Sequence, residues 1–340
     1  MDTEHELQAT VRAMVQEGKG ILAADESLPT ISKRFAPFGI ESTEESRRSY
    51  RSLLFSTPGM EDCVSGVILF EETLRQRDDA GRLLPELLSS KGVVPGVKVD
   101  RGTIPLSHSP GDKITEGLDG LAARLRQYRS EGAKFAKWRE VYGIGAKNPS
   151  ALAVLANAEV LARYAAICQE EGIVPIVEPE VLIDGEHDMG RCLDVTEAVL
   201  HAVFHALERH KVVLEHIVLK PSMVLPGKDF GEKASPEEVA EATVRVLRRA
   251  VPAAVPSINF LSGGQGPEEA TANLNAMNAL FPGQPWALSF SYGRALQQPA
   301  LAAWAGRREN AGKMQQAFLR RAQLNGLARR GSYLSGMEKE

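Results

Sequence analysis

The sequence predicts an α/β protein folded as one (β/α)8 TIM barrel, a single domain over residues 1–340 with a short C-terminal tail from about residue 331. Eight short apolar runs end in polar residues or glycine, with helical patterns in most of the gaps between them. That alternation gives a parallel sheet with helices outside it. The 340 residues lie inside the range of about 200 to over 400 that such barrels occupy as one domain. No Ser/Gly/Pro-rich linker divides the chain. An open doubly wound sheet would carry G-x-G-x-x-G after its first strand, and Ala24-Asp25-Glu26-Ser27 stands there instead.

In chain order, a short helical start closes at Met14, and Gly20 to Ser27 reads as a buried strand ending in Asp25 and Glu26. Ser42-Thr43-Glu44-Glu45 caps a helix to Phe55 with Tyr50, Leu53 and Leu54 on one side. Strands follow at Ser65–Phe70 and Pro95–Asp100, the latter containing Lys98. A helix is expected over Gly117–Tyr128 and a strand over Phe135–Arg139. A long Ala/Leu-rich helix runs from about Ser150 to Glu171 and stops at Gly172. Ile173–Glu180 is the fifth strand, and Asp194 is expected to cap a helix to about His210. His216–Met223 is the sixth strand. Ser235-Pro236-Glu237-Glu238 opens the next helix, with proline just inside its start. Ser257–Gly264 and Trp286–Arg294 are the last strands, separated by a helix over Pro267–Leu280. Ala295 to Arg330 reads as helical and basic.

A composition of 43% hydrophobic and 25% charged residues supplies ample core, and a net charge of −4 gives no nucleic-acid surface. No apolar run reads as a membrane span, and the acidic start, Met1 to Glu6, lacks a signal-peptide core. A cytoplasmic protein without nucleic-acid or membrane partners is expected. Cys63, Cys168 and Cys192 are scattered without C-x-x-C spacing, so neither a disulfide framework nor a zinc site is expected from them.

Barrels keep their chemistry at the C-terminal ends of the strands. Those ends carry Asp25, Glu26 and Ser27; Lys98 and Asp100; Lys137 and Arg139; Glu178 and Glu180; Lys220; Ser262-Gly263-Gly264; and Ser291-Tyr292-Gly293-Arg294. Lys220 follows Ile217-Val218-Leu219 and precedes Pro221. It is either a nucleophile or a side chain snorkelling from a strand end. Lowering a lysine from ~10.4 to ~7–8 takes about 4 kcal/mol of desolvation and like-charge repulsion. Lys137 would supply part of that repulsion. The charges could merely pair with one another, but desolvation makes that a costly way to hold a fold together. The glycine loop after the seventh strand bares N–H groups and Arg294 offers a planar fork, the pattern of a phosphate site. A lysine beside it suits a phosphorylated carbonyl substrate. The amine would condense to an iminium, and the neighbouring C–C bond could then break. Glu178 and Glu180 share a face, so their charges should interact and raise one of them for proton shuttling. Asp25 is placed to take a hydroxyl proton.

His201 and His205 have metal-ligand spacing, but Ala202-Val203-Phe204 between them lacks the zincin glutamate, and a helix-face pair is the simpler reading. His187 belongs to a polar loop. Arg320-Arg321 and Arg329-Arg330 read as a solvated helix face.

These residues resemble the class I fructose-1,6-bisphosphate aldolases, the metal-free Schiff-base family of glycolysis and gluconeogenesis. The similarity covers nearly the whole chain, from Gly18-Lys19-Gly20-Ile21-Leu22-Ala23-Ala24-Asp25-Glu26-Ser27 to about Arg330. It includes Gly96-Val97-Lys98-Val99-Asp100, Lys134 to Arg139, Val177-Glu178-Pro179-Glu180, Leu219-Lys220-Pro221, Phe260 to Gln265 and Phe290 to Leu296. The resemblance implies that Lys220 forms the Schiff base, with Glu178 as principal acid/base and Glu180 beside it. It implies that Asp25 takes the C4 hydroxyl proton and that Lys137 supports charge near the reacting carbons. Ser262, Gly263 and Arg294 would hold the C1 phosphate, with Gly264, Ser291 and Gly293 in the same loops. Arg34 and Lys98 would meet the C6 phosphate with Ser27 nearby, and Arg139 would contact substrate or brace the lysines. The family is usually a homotetramer. Many members end in a tyrosine that helps proton transfer, whereas this sequence stops at Glu340. A residue in the mouth, or water, is expected to take over that step. A sugar-phosphate binder without turnover would be expected to lack Lys220, Glu178 or Asp25, and all three are present. A transaldolase-like transfer also uses a lysine iminium, but cations for two phosphates speak against it.

Overall fold

Runs of apolar residues buried on both faces form the strands, as parallel sheets require. In the computed structural model, which describes residues 3–339, β1 (Gly20–Ala24), β2 (Val64–Leu69) and β3 (Val94–Lys98) precede a short hairpin, β4 (Thr103–Pro105) and β5 (Lys113–Thr115). Then come β6 (Phe135–Tyr142), β7 (Val174–Val181), β8 (Val218–Leu219), β9 (Ser257–Phe260) and β10 (Ala287–Tyr292). Apart from the antiparallel hairpin, neighbours pair in parallel and close a barrel in the order β1-β10-β9-β8-β7-β6-β3-β2. Met1, Asp2 and Glu340, the outermost residues of the acidic start and the expected tail, lie outside the described residues.

The helices are α1 (Thr3–Met14), α2 (Leu28–Phe35), α3 (Glu44–Phe55), α4 (Leu84–Ser90), α5 (Leu121–Ser130) and α6 (Ala151–Glu170). They continue with α7 (Met189–Arg209), α8 (Pro236–Ala250), α9 (Pro267–Leu280), α10 (Arg294–Trp304) and α11 (Ala311–Arg329). Two of the expected caps are in place. Thr43 accepts from the Ser46 N–H at 3.1 Å, and Ser235 with Glu238 forms a capping box.

The barrel interior is a small separate core. Leu7, Val11 and Met14, spaced as one helix face, plug its floor from α1 against Ile21, Phe135, Val174, Ile176 and Val218. Phe135 fills the space opposite Gly96, where an added Cβ would lie 2.2 Å from the ring, so glycine is required there by packing. The larger core lies between the barrel and its helices. α6 is long and apolar enough to cross a bilayer, contrary to the sequence reading, but it packs against α7, β6 and β7 in the outer ring.

Several expectations need correction. The sixth barrel strand shrinks to Val218–Leu219, because Leu214–His216 forms a 3-10 turn and Pro221 has no N–H for the ladder. Lys220 N–H still donates to Val177 O at 2.8 Å, so the lysine sits at the strand's end. The helix assigned to an Asp194 cap is capped six residues earlier, by Asp188, which accepts from the Arg191 N–H at 2.7 Å, and starts at Met189. The expected helix over Gly117–Tyr128 begins at Leu121, since Lys113–Thr115 is strand. The stretch Ala295–Arg330 is two helices, broken where Ala305 adopts φ 48° before Gly306. Arg321 is not solvated. It is buried, with Glu338 oxygens at 2.5 and 2.6 Å and Pro267 O at 2.8 Å. Arg329 turns its guanidinium to the carbonyls of Gln16 and Lys19. In the tail, Tyr333 is buried, with its hydroxyl 2.8 Å from Glu338.

Candidate active site

Strand alternation turns Lys137 and Arg139 of β6, and Glu178 and Glu180 of β7, toward the barrel axis. The register sets Arg139 opposite Glu178. Asp25 extends from β1, Lys98 ends β3, and Lys220 follows β8. Ser262, Gly263 and Gly264 follow β9, while Ser291, Gly293 and Arg294 come from β10 and the start of α10. Ser27 and Arg34 reach over from α2 and its cap. Every one of these sequence-predicted residues lines one cavity of about 1230 Å³ at the C-terminal rim of the barrel.

At its centre is a buried chain of opposite charges. Lys220 Nζ lies 3.2 Å from Glu178 Oε1, and Glu178 Oε2 lies 3.3 Å from Lys137 Nζ. Lys137 Nζ then meets Asp25 Oδ2 at 2.7 Å and stands 4.0 Å from Asp100. Burial alone would raise the Asp25 carboxyl, but the ammonium groups of Lys137 and Lys220 pull it down to about 2. Asp25 is therefore an ionised acceptor throughout the neutral range. Burial works against the Lys137 charge, yet Asp25, Glu178 and Asp100 outweigh it and hold the ammonium above its usual value. Lys137 is consequently a fixed cation. Glu178 contacts both lysines, one through each carboxyl oxygen, so its charge offsets the repulsion expected between them. The expected contest between Glu178 and Glu180 is relieved by geometry as well. Glu178 is shared by the lysines, and Glu180 has its own partner in Arg139 Nε at 2.5 Å.

Two cationic ends flank this centre. At one, Gly263 and Gly264 take φ 49° and 92°, conformations glycine enters freely. The Arg294 guanidinium donates to the carbonyls of Gly264 and Gln265, tying the loop after β9 to the start of α10. Ser291 Oγ is buried there without a hydrogen-bond partner among the described residues. At the other end, Lys98 Nζ contacts Asp100 Oδ1 at 2.5 Å and Arg34 pairs with Glu26. Glu26 also accepts from Gln297 Nε2 at 2.7 Å, and its backbone oxygen accepts from fully buried Arg51 at 3.0 Å. Gln297 and Arg51 escaped the sequence reading. They reach the rim from α10 and α3 by tertiary packing, and no local pattern announces that. The set offers an amine, a bridging carboxyl, an ionised base and anion-binding groups on both sides. That suits covalent catalysis on a carbonyl flanked by two phosphates.

The rival histidines stay apart from this cavity. His201 and His205 are exposed on α7, with His201 3.9 Å from Glu197. His187 lies in the loop before α7. Cys168 is a fully buried core residue.

A family model described as fructose-bisphosphate aldolase class-I matches residues 6–340. Fructose-bisphosphate aldolase C of Rattus norvegicus is 54% identical over 333 residues, 98% of this chain and 92% of the relative. Fructose-bisphosphate aldolase 4, cytosolic, of Arabidopsis thaliana is 55% identical over 329 residues, 97% of this chain and 84% of the relative. A co-crystal structure of fructose-bisphosphate aldolase from Plasmodium falciparum with TRAP and a small-molecule inhibitor superposes with a TM-score of 0.97 at 50% identity. It covers 98% of this chain and 97% of that one.

Proposed function

The chain belongs to the class I fructose-bisphosphate aldolase family, and from that premise we propose which of its residues carry the reaction. The activity is the reversible aldol cleavage of fructose 1,6-bisphosphate to dihydroxyacetone phosphate and glyceraldehyde 3-phosphate through a lysine Schiff base. It is a lyase step of glycolysis and gluconeogenesis.

Lys220 is the nucleophile. Its amine must be neutral to attack, and Glu178 Oε1 at 3.2 Å is within reach to take the proton. The amine adds to the C2 carbonyl to give a carbinolamine. Glu178 then returns a proton to the leaving hydroxyl, water departs, and an iminium remains. Asp25, ionised and near the same centre, removes the C4 hydroxyl proton. The C3–C4 electron pair flows into the iminium. Glyceraldehyde 3-phosphate leaves, and an enamine stays on Lys220. Protonation at C3 and hydrolysis then release dihydroxyacetone phosphate and restore the amine. Lys137 keeps Asp25 ionised between turns, contacts Glu178, and offsets charge that develops on the reacting oxygens. Glu180 and Arg139 brace the wall beside Glu178. Ser262, Gly263, Gly264, Ser291, Gly293 and Arg294 hold the C1 phosphate. Arg34, Lys98 and Ser27 receive the C6 phosphate.

The observation that carries this assignment is the unbroken contact chain Lys220–Glu178–Lys137–Asp25 inside one cavity. Activity is tested by comparing cleavage of fructose 1,6-bisphosphate with transfer from fructose 6-phosphate to an acceptor aldose. Cleavage should dominate, and Lys220→Met should abolish it. Dominant transfer, or full activity in the variant, would overturn the assignment. We also place the enzyme in the cytoplasm as a homotetramer, supported by the Arabidopsis relatives named cytosolic and by the family's usual assembly. Sedimentation as a monomer would remove the second claim.

A further inference from the structure

Glu140 lies on β6 directly after Arg139, a residue of the reaction centre's wall, yet alternation turns it away from the mouth with Trp138. It has no exposed surface. Its carboxyl takes two donors, Trp138 Nε1 at 2.8 Å on Oε1 and the Thr115 N–H at 3.1 Å on Oε2. Among the described residues it forms no ion pair with any cation. A buried carboxylate without a cation is costly, whereas a hydrogen-bonded carboxylic acid is not.

The groups around it favour the acid. Asp100, beyond the end of β3, adds a negative charge. Tyr142, two residues along the same face of β6, has a buried hydroxyl without a hydrogen-bond partner among the described residues. α6 contributes neutral Asn157 and Tyr164, both fully buried, and the latter stacks on Trp138 at 5.5 Å. On β5 and just after it, Lys113 and Glu116 are exposed. Burial is the main cause pushing the Glu140 carboxyl up to about 7, against the lowering effect of Thr115 and Trp138.

Thr115 links this group to the mouth. Its hydroxyl donates to Arg139 O at 2.7 Å, and its cross-strand partner is Thr103. Thr103, with Arg101 and Gly102, lines the cavity. Arg101 N–H donates to Glu116 O at 2.8 Å, and Glu116 N–H donates to Gly102 O at 3.0 Å, so the hairpin moves with that rim.

We propose that Glu140 is a positioning residue that carries its own proton. It ties the β4–β5 hairpin and Trp138 to the back of the strand bearing Lys137 and Arg139; neutral, it leaves no charge there, and its ionisation weakens binding of the anionic bisphosphate. Ionisation places a new buried negative charge behind the strand and lowers the positive potential felt by the phosphates. It also sets Glu140 against the like charge of Asp100. The inference rests on the mouth being the bisphosphate site, as assigned above.

The test compares the native enzyme with Glu140→Gln between about pH 6 and about pH 8.5, using KM for fructose 1,6-bisphosphate and tryptophan emission. Substrate phosphate titration is common to both proteins and cancels in the KM ratio. The native KM should rise about threefold or more relative to the variant, in a step centred near 7, with a smaller change in kcat. Native emission should show the same step, missing in Glu140→Gln and in Trp138→Phe. The emission titration of the native enzyme needs no variant to fold. A pH-independent KM ratio, or an emission step that survives in Glu140→Gln, would overturn the proposal. Failure of the site assignment reads out separately, as loss of covalent trapping at Lys220, which the Glu140 titration does not measure.

Discussion

Replacing Lys137 by methionine removes one buried charge while nearly keeping the side-chain volume. In the native structure that charge sits 2.7 Å from Asp25 and 3.3 Å from Glu178. Lys137 is the largest influence lowering the Asp25 carboxyl from 3.8 to about 2, and burial opposes it. Without Lys137 the opposing burial is met mainly by Lys220, so the Asp25 midpoint should climb above about 4. A shift of about two units corresponds to about 2.5 kcal/mol. The sign is fixed by linkage. The native Asp25 is depressed, so its stabilisation is complete above 3.8 and is lost as pH falls toward about 2. In Lys137→Met the stabilisation disappears, and the folded state is penalised as pH rises through about 4. The assay is kcat/KM against pH, with urea denaturation at the same pH values. The variant should lose about 10²–10³-fold in kcat, the scale expected for a misplaced acid/base pair. It should also gain an acid limb, with a midpoint above about 4, that the native enzyme lacks. A variant without that limb would refute the role given to Lys137.

Other perturbations separate binding from packing. Arg34→Ala should raise KM for fructose 1,6-bisphosphate about tenfold or more and leave KM for fructose 1-phosphate unchanged, because only the former has a C6 phosphate. Equal effects on both substrates would remove Arg34 from that end. Gly96→Ala drives a Cβ to within 2.2 Å of the Phe135 ring. It should cost about 1–3 kcal/mol, read as a lower thermal midpoint, and an unchanged midpoint would show that the ring moves freely.

The barrel and its mouth were legible because both rest on local chemistry. Apolar runs such as Ile217-Val218-Leu219 can only be buried, and the polar residue that follows each one falls at the rim. The same logic located Lys220, Glu178 and Asp25 before any contact was known. What it missed depends on contacts distant in sequence. The hairpin strands β4 and β5 are three residues each and partly exposed, too short for a period to register. The start of α7 was misplaced because Asp188 and Asp194 are equally good caps on paper, and only the fold chooses. Arg321 read as solvated because helix charges usually are, yet Glu338, 17 positions later, returns to cover it. The lysine pair was expected to repel. Which carboxylate stands between two lysines is decided by the register of β6 against β7.

The central claim is that Lys220 alone makes the covalent bond to substrate. Borohydride reduction in the presence of dihydroxyacetone phosphate, followed by peptide mapping, tests it most directly. The expected result is one reduced adduct per chain, on Lys220, and none in Lys220→Met. A label on Lys137 or Lys98, or an undiminished label in the variant, would contradict it.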